Sequence, residues 1–210
     1  MILPVERPED IPQAFVAGCV GYYSIDCVNW PQSYPYKPDA VFGVAFSGEG
    51  LYLHFKVRED EVLAFVGEDG GPVWKDSCVE CFLRPEPEGP YYNLECNCIG
   101  RILLGCGIGR QDREAAPNHV LQGVKRWASI GHEPFGRRLE DTRWETALIV
   151  PFASFFRHDI NSFTGAIATA NFFKCGGTGS EEHYLSWSPI SVPSPDFHRP
   201  EFFSEIRFAH

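Results

Sequence analysis

The sequence predicts an all-β protein, an antiparallel β-sandwich of jelly-roll type with short helical turns in its loops. Three observations carry that expectation. With 20 Gly and 17 Pro among 210 residues, turn-forming punctuation is dense and helix-forming runs are short. Several segments alternate apolar and polar residues with the period of two that a half-buried strand requires. A hydrophobic fraction of 44%, with 17 Phe, 8 Tyr and 5 Trp, supplies enough apolar surface to fill the space between two sheets and argues against disorder. One domain spanning 1–210 is expected, because sandwiches of roughly this length fold around a single core.

Taken in order, residues 15–20 and 24–28 are short apolar pieces. Residues 30–38 interleave Trp30, Tyr34 and Tyr36 with Pro31, Pro35 and Pro38, which excludes a central strand and describes a rigid aromatic loop, a packing lid or a ligand face. Residues 41–46 and 51–57 flank Ser47-Gly48-Glu49-Gly50 as a hairpin. In its second strand Leu51, Leu53, Phe55 and Val57 turn inward, while His54 falls on the polar side, where it reads as solvated. Glu59-Asp60-Glu61 reads as a charged connection, and residues 68–72 as a loop that delivers the chain to Trp74. Asp69 and Asp76 offer hard oxygens for calcium, yet no EF-hand spacing surrounds them, so no cofactor is expected and a structural calcium has no motif behind it.

Residues 77–83 form the most informative strand. Val79, Cys81 and Leu83 share one face and are buried, whereas Cys78, Glu80 and Phe82 share the other, which places a carboxylate between two hydrophobic residues. A turn at residues 84–90 leads to a strand at 92–99. Pairing the two sets Glu80 on a polar face with some of Asn93, Glu95 and Asn97. Gly100 is expected to bulge this strand before residues 101–106 continue it. Gly105-Cys106-Gly107-Ile108-Gly109 has a nucleotide-loop spacing, but no βαβ pattern surrounds it, so it reads as a turn. A short helix within 110–123, strands at 124–130, 143–150 and 163–173, a helical turn at 152–156, a flexible glycine loop at 176–180 and a last strand at 202–208 complete the chain.

The formal net charge of -10 argues against nucleic acid and anionic membrane surfaces as partners, and no run approaches transmembrane length. The first twenty residues carry acids and prolines where a signal peptide needs a basic start and an apolar core, so a cytoplasmic protein is expected. In that compartment the eight cysteines are expected as free, buried thiols. A zinc reading of Cys78-x-x-Cys81 or Cys96-x-Cys98 fails because both pairs lie in strand-like runs and residues 78 and 81 have opposite parity. A haem carrier with a Met/His axial pair is disfavoured, since Met1 is the only methionine.

Four pieces stand in a particular order: Trp74-x-Asp76-x-x-Val79-Glu80-x-Phe82, Tyr92-x-Leu94-x-Cys96-Asn97, Arg143-Trp144-Glu145 ahead of Val150-Pro151-Phe152, and Asn171 before Trp187 and a Phe-rich final strand. From about residue 30 to 208 this resembles the family 9 carbohydrate-binding modules, and the closing Leu185-Ser186-Trp187-Ser188-Pro189 is similar to single-domain relatives of gut-type bacteria. The resemblance implies a β-sandwich with a non-catalytic, lectin-like site in which two tryptophans enclose a sugar. It implies Trp74 and Glu80 as the first ring and the acid, Arg101 as the arginine, and Asn171 and Trp187 as the amide and the second ring. The expected partner is therefore a mono- or oligosaccharide, and the oligomeric state is left open.

A competing reading is a glycoside-processing enzyme that uses acids on the sandwich face. Asp76 and Glu80, four residues apart on one strand, would lie roughly 13 Å apart, beyond either usual carboxylate spacing.

Overall fold

The computed structural model describes residues 4–209. Helix α1 (Ile11–Ala17) precedes strands β1 (Tyr23–Ser24), β2 (Cys27–Val28), β3 (Asp39–Phe46), β4 (Gly50–Ala64), β5 (Ser77–Arg84), β6 (Tyr91–Asn97), β7 (Ile102–Gly107) and β8 (Arg113–Ala115). Helix α2 (Asn118–Gly123) then leads to β9 (Lys125–Ala128), β10 (Phe135–Pro151), β11 (Ile167–Gly176), β12 (His183–Ser186) and β13 (Ser204–Arg207). Two antiparallel sheets result. The smaller runs β1-β3-β4-β10-β9, and the larger runs β2-β12-β11-β5-β6-β7-β8 with β13 also paired to β11. The expected β-sandwich is the fold.

The core follows from strand parity. Leu51, Leu53, Phe55 and Val57 of β4 face Val79, Cys81 and Leu83 of β5, Tyr92, Leu94 and Cys96 of β6, and Phe172 of β11. Phe42 lies parallel to Phe172 with ring centroids 3.6 Å apart, joining the two sheets at the centre. Trp144 is 1% exposed there.

Several local expectations are corrected. Residues 11–17 form a helix whose Ile11 and Phe15, one turn apart, bury against Ala45, Tyr52, Ala147 and Ile149 on the outer face of the smaller sheet. That cover explains His54, which is not solvated: it is 0% exposed, with Nδ1 2.5 Å from the Tyr22 hydroxyl and Nε2 2.8 Å from the Glu145 carboxylate. Glu59-Asp60-Glu61 is not a connection but part of β4. Glu59 points between the sheets, where Trp144 Nε1 donates to it at 2.7 Å and Lys174 Nζ lies 2.8 Å away, so the buried carboxylate is paired. Gly100 does not bulge a strand; with φ of 80° it sits in the turn that separates β6 from β7.

All eight cysteines are free thiols. Cys78 and Cys81 do face opposite sides of the sheet, Cys81 in the inter-sheet core and Cys78 in a second apolar cluster on the outer face. Among the described residues no helix is long and apolar enough to cross a membrane.

Candidate functional site

The outer face of the larger sheet is half covered. Trp30 donates its Nε1 proton to the Val192 carbonyl at 2.7 Å, and Phe197 stacks on Phe173 with centroids 4.1 Å apart, so residues 30–34 and 190–203 are fastened over one end of the sheet. Where that cover stops, a cavity of about 540 Å³ opens onto the strands.

Polar side chains make its floor. The β5–β6 register sets Glu80 opposite Glu95 and Phe82 opposite Asn93, and these four share the outer face because each strand alternates. Glu80 is 3% and Glu95 4% exposed. Asn93 Nδ2 donates to Glu95 Oε1 at 2.8 Å, and Arg113 Nε donates to Asn93 Oδ1 at 2.9 Å. Its Nη1 donates to the Gly109 carbonyl and its Nη2 to those of Tyr91 and Gly105, while its Cζ lies 4.4 Å from the Tyr91 ring centroid. Among the described residues Glu95 Oε2 has no hydrogen-bond partner although it is buried. Cys175 of β11 donates its thiol proton to Glu80 Oε1 at 3.2 Å.

Electrostatics follow from this burial. Desolvation, with the neighbouring Cys175 and Glu95, pushes the Glu80 carboxyl well above the usual carboxylate range. Desolvation raises Glu95 to about 7, opposed by the Asn93 hydrogen bond and the Arg113 charge. The floor is thus a pair of carboxyl groups that hold protons more readily than surface acids, beside an arginine that makes four hydrogen bonds within the protein.

Aromatic rings and charged side chains make the walls. Trp74 stands on the single 3-10 turn Val73–Lys75 and is 41% exposed, the most accessible tryptophan surface bordering the cavity. Its backbone lies so close to the loop after β11 that a Cβ on Gly177 would meet the Trp74 carbonyl at 2.9 Å. Tyr34 and Tyr184 meet edge to face with centroids 4.9 Å apart. Pro195, Asp196, Phe197 and His198 close another side, where His198 Nδ1 lies 2.8 Å from the Tyr91 hydroxyl. Burial, with the charges of Arg113 and Arg110, lowers His198 to about 3, so its ring is neutral.

Of the five residues singled out from sequence, Trp74 and Glu80 come together here. The other three lie elsewhere. Arg101 follows the β6–β7 turn and donates to the His132 carbonyl at 3.1 Å. Asn171 is 0% exposed and grips residue 188, donating to its carbonyl at 3.0 Å and accepting from its N–H at 2.9 Å. Trp187 shares parity with the buried Leu185, so its ring packs at the sandwich edge against Phe42, Phe172 and Tyr23. It borders a separate depression of about 550 Å³ with Tyr23, Val44 and Arg207. Asp69 and Asp76 are spent on protein donors: Asp76 accepts from the N–H groups of Phe65 and Val66 and from Asn97, and Asp69 accepts from Ile102 N and lies 2.9 Å from Arg126.

Arg110, Arg113, Tyr184 and the 195–198 loop were missed from sequence, whereas Tyr34 belongs to the aromatic loop read as a packing lid or a ligand face. One signal was present for Arg113. Gly105 and Gly107 make a hairpin rather than a phosphate loop, and a Cβ on Gly105 would meet Asn93 Oδ1 at 2.9 Å and approach Arg113 Nε to 3.6 Å, so this glycine leaves the slot in which the two side chains meet.

Comparison with known proteins bears on the family and the fold. A search of curated proteins returned no match. Among solved structures, a candidate carbohydrate-binding protein from Bacteroides uniformis is 42% identical, with a TM-score of 0.93 over 96% of this chain and 92% of that one. A family 9 carbohydrate-binding module from Caldicellulosiruptor kristjanssonii in complex with glucose superposes with a TM-score of 0.55 at 14% identity, covering 93% of this chain and 86% of that one. The same organism's family 9 module in complex with cellotriose gives 0.56 at 15% identity, covering 98% and 89%. At such identities these two share the fold alone. The sequence model of carbohydrate-binding family 9 matches residues 9–208, and the chain therefore belongs to that family.

Proposed function

We propose that the chain is one non-catalytic carbohydrate-binding domain and that the cavity on the outer face of the larger sheet holds a neutral sugar. The observation that carries this reading is the conjunction of an exposed indole, Trp74, with a buried and unpartnered carboxyl oxygen, Glu95 Oε2, across one cavity. A pyranose offers axial C–H groups to the flat ring and hydroxyl donors to the floor. Glu80 and Glu95 accept or, when protonated, donate; Arg110 and Asp196 stand at the rim for further hydroxyls. Solved relatives in complex with glucose and cellotriose make β-linked glucose the first ligand to try. Titration calorimetry of the folded chain against glucose, cello-oligosaccharides and a broad glycan panel tests the reading, and no heat with any sugar rejects it.

A second reading has one observation in its favour: Glu80 and Glu95 are directly opposite on neighbouring strands, a far closer pair than Asp76 and Glu80 could be. Turnover of aryl glycosides that disappears in Glu95→Gln would select a hydrolase over a binding protein.

A further inference from the structure

The thiol chemistry of the cavity floor is unused by sugar binding. Cys78 has no metal partner in Cys81, which lies on the other face, but the β5–β11 register places Cys175 directly opposite Cys78, and Glu80 follows two residues later on the same outward face. The ligating atoms of Cys78, Glu80 and Cys175 all lie within 4.8 Å of one another, and all three residues are buried. Cys175 Sγ is 3.2 Å from Glu80 Oε1.

We propose that Cys78, Cys175 and Glu80 form a binding site for one divalent metal ion of the zinc class, with its fourth coordination position open to the cavity. Tetrahedral zinc, with bonds of about 2.3 Å to sulfur and about 2.1 Å to oxygen, sets its ligands about 3.6–3.8 Å apart. The Cys175–Glu80 separation of 3.2 Å falls just below that spacing and no pair exceeds 4.8 Å, so the three ligand atoms lie close to the separations such an ion requires. Two thiols select a borderline or soft ion over magnesium or calcium, which prefer all-oxygen cages. The ligands stand on two adjacent inner strands of the larger sheet, a rigid frame of the kind that fixes ligand geometry. Glu80 and Cys175 line the cavity, which provides an entry path and a water or ligand hydroxyl for the fourth position. Binding is a proton exchange without electron transfer: two S–H bonds and one carboxyl O–H break, two S–metal bonds and one O–metal bond form, and three protons leave to solvent. The proposal shares Glu80 with the sugar reading but does not rest on it.

The test uses cobalt(II) alone, with no sugar, on the full reduced chain carrying Cys19→Ser and Cys27→Ser to remove the exposed and half-buried thiols. One equivalent of cobalt is expected to give a thiolate-to-metal charge-transfer band with the intense visible bands of a tetrahedral ion, competed away by zinc. Cys175→Ser should weaken binding by more than the roughly 10–100-fold that loss of an outer-shell partner costs. Glu80→Gln, which keeps both thiols, gives the same readout if the serine variant fails to fold. In the unsubstituted chain, zinc should slow alkylation of Cys175, the thiol that lines the cavity, as mapped by mass spectrometry. A folded, reduced protein with no charge-transfer band, a band that survives both substitutions, or protection that falls on cysteines outside the site overturns the proposal whatever the sugar experiments give.

Discussion

Replacing Trp74 by alanine separates a binding platform from a core anchor. An indole side chain presents roughly 250 Å², so its 41% exposure leaves on the order of 100 Å² for a ligand. A pyranose stacked on one ring face covers about half of that. At about 25 cal/mol per Å² the lost burial is about 1.3 kcal/mol, close to tenfold in Kd. The fold should lose little, because the ring belongs to neither apolar cluster, the turn that carries it stays anchored by the buried Val73, and the backbone contact between Gly177 and the Trp74 carbonyl survives truncation. Calorimetry with the best-binding sugar and a thermal melt on the same sample read both quantities. The expected pair is an affinity loss of about tenfold and a stability change below about 1 kcal/mol. An unchanged Kd in a folded variant refutes the platform, and a stability loss above about 3 kcal/mol would make the indole a structural group instead.

Other consequences follow from the buried polar groups. Lys174→Met strands the Glu59 carboxylate between the sheets and is expected to cost roughly 3–5 kcal/mol in urea unfolding; a change under about 1 kcal/mol would contradict the buried pair. His198 binds its proton more weakly folded, at about 3, than unfolded, near 6.5, so its contribution is fully present above about pH 6.5 and is lost as pH falls toward 3. The slope it adds is up to about 1.4 kcal/mol per pH unit, and His198→Asn should flatten the acid limb of stability against pH; an identical limb in the variant contradicts the assignment. Gly105→Ala drives a methyl group into the Asn93–Arg113 contact and should cost about 1–3 kcal/mol in thermal or urea unfolding while weakening sugar binding; no effect on either would dismiss that slot.

Strand parity made half of the candidate site readable in the sequence. The alternation at residues 77–83 separated Val79, Cys81 and Leu83 from Glu80, and the hairpin to residues 92–99 set Glu80 beside Asn93 and Glu95, which is the floor found. Parity applied to residues 183–187 would also have turned Trp187 inward with Leu185. What no local pattern carried was contact at long range. Glu59 is buried because Lys174 neutralises it from another strand, His54 because α1 covers it, and the cavity walls because the 190–203 loop returns over a sheet made much earlier in the chain. The cysteines divide the same way: separating Cys78 from Cys81 needed only the period of two, whereas the pairing of Cys78 with Cys175 belongs to the register of β5 and β11.

A crystal structure of the chain soaked with the tightest sugar from the glycan panel tests the central claim most directly. Density is expected flat against Trp74, with hydroxyl oxygens within about 3.2 Å of Glu80 and Glu95. Density in the depression beside Tyr23 and Trp187, with the outer cavity empty, would contradict it.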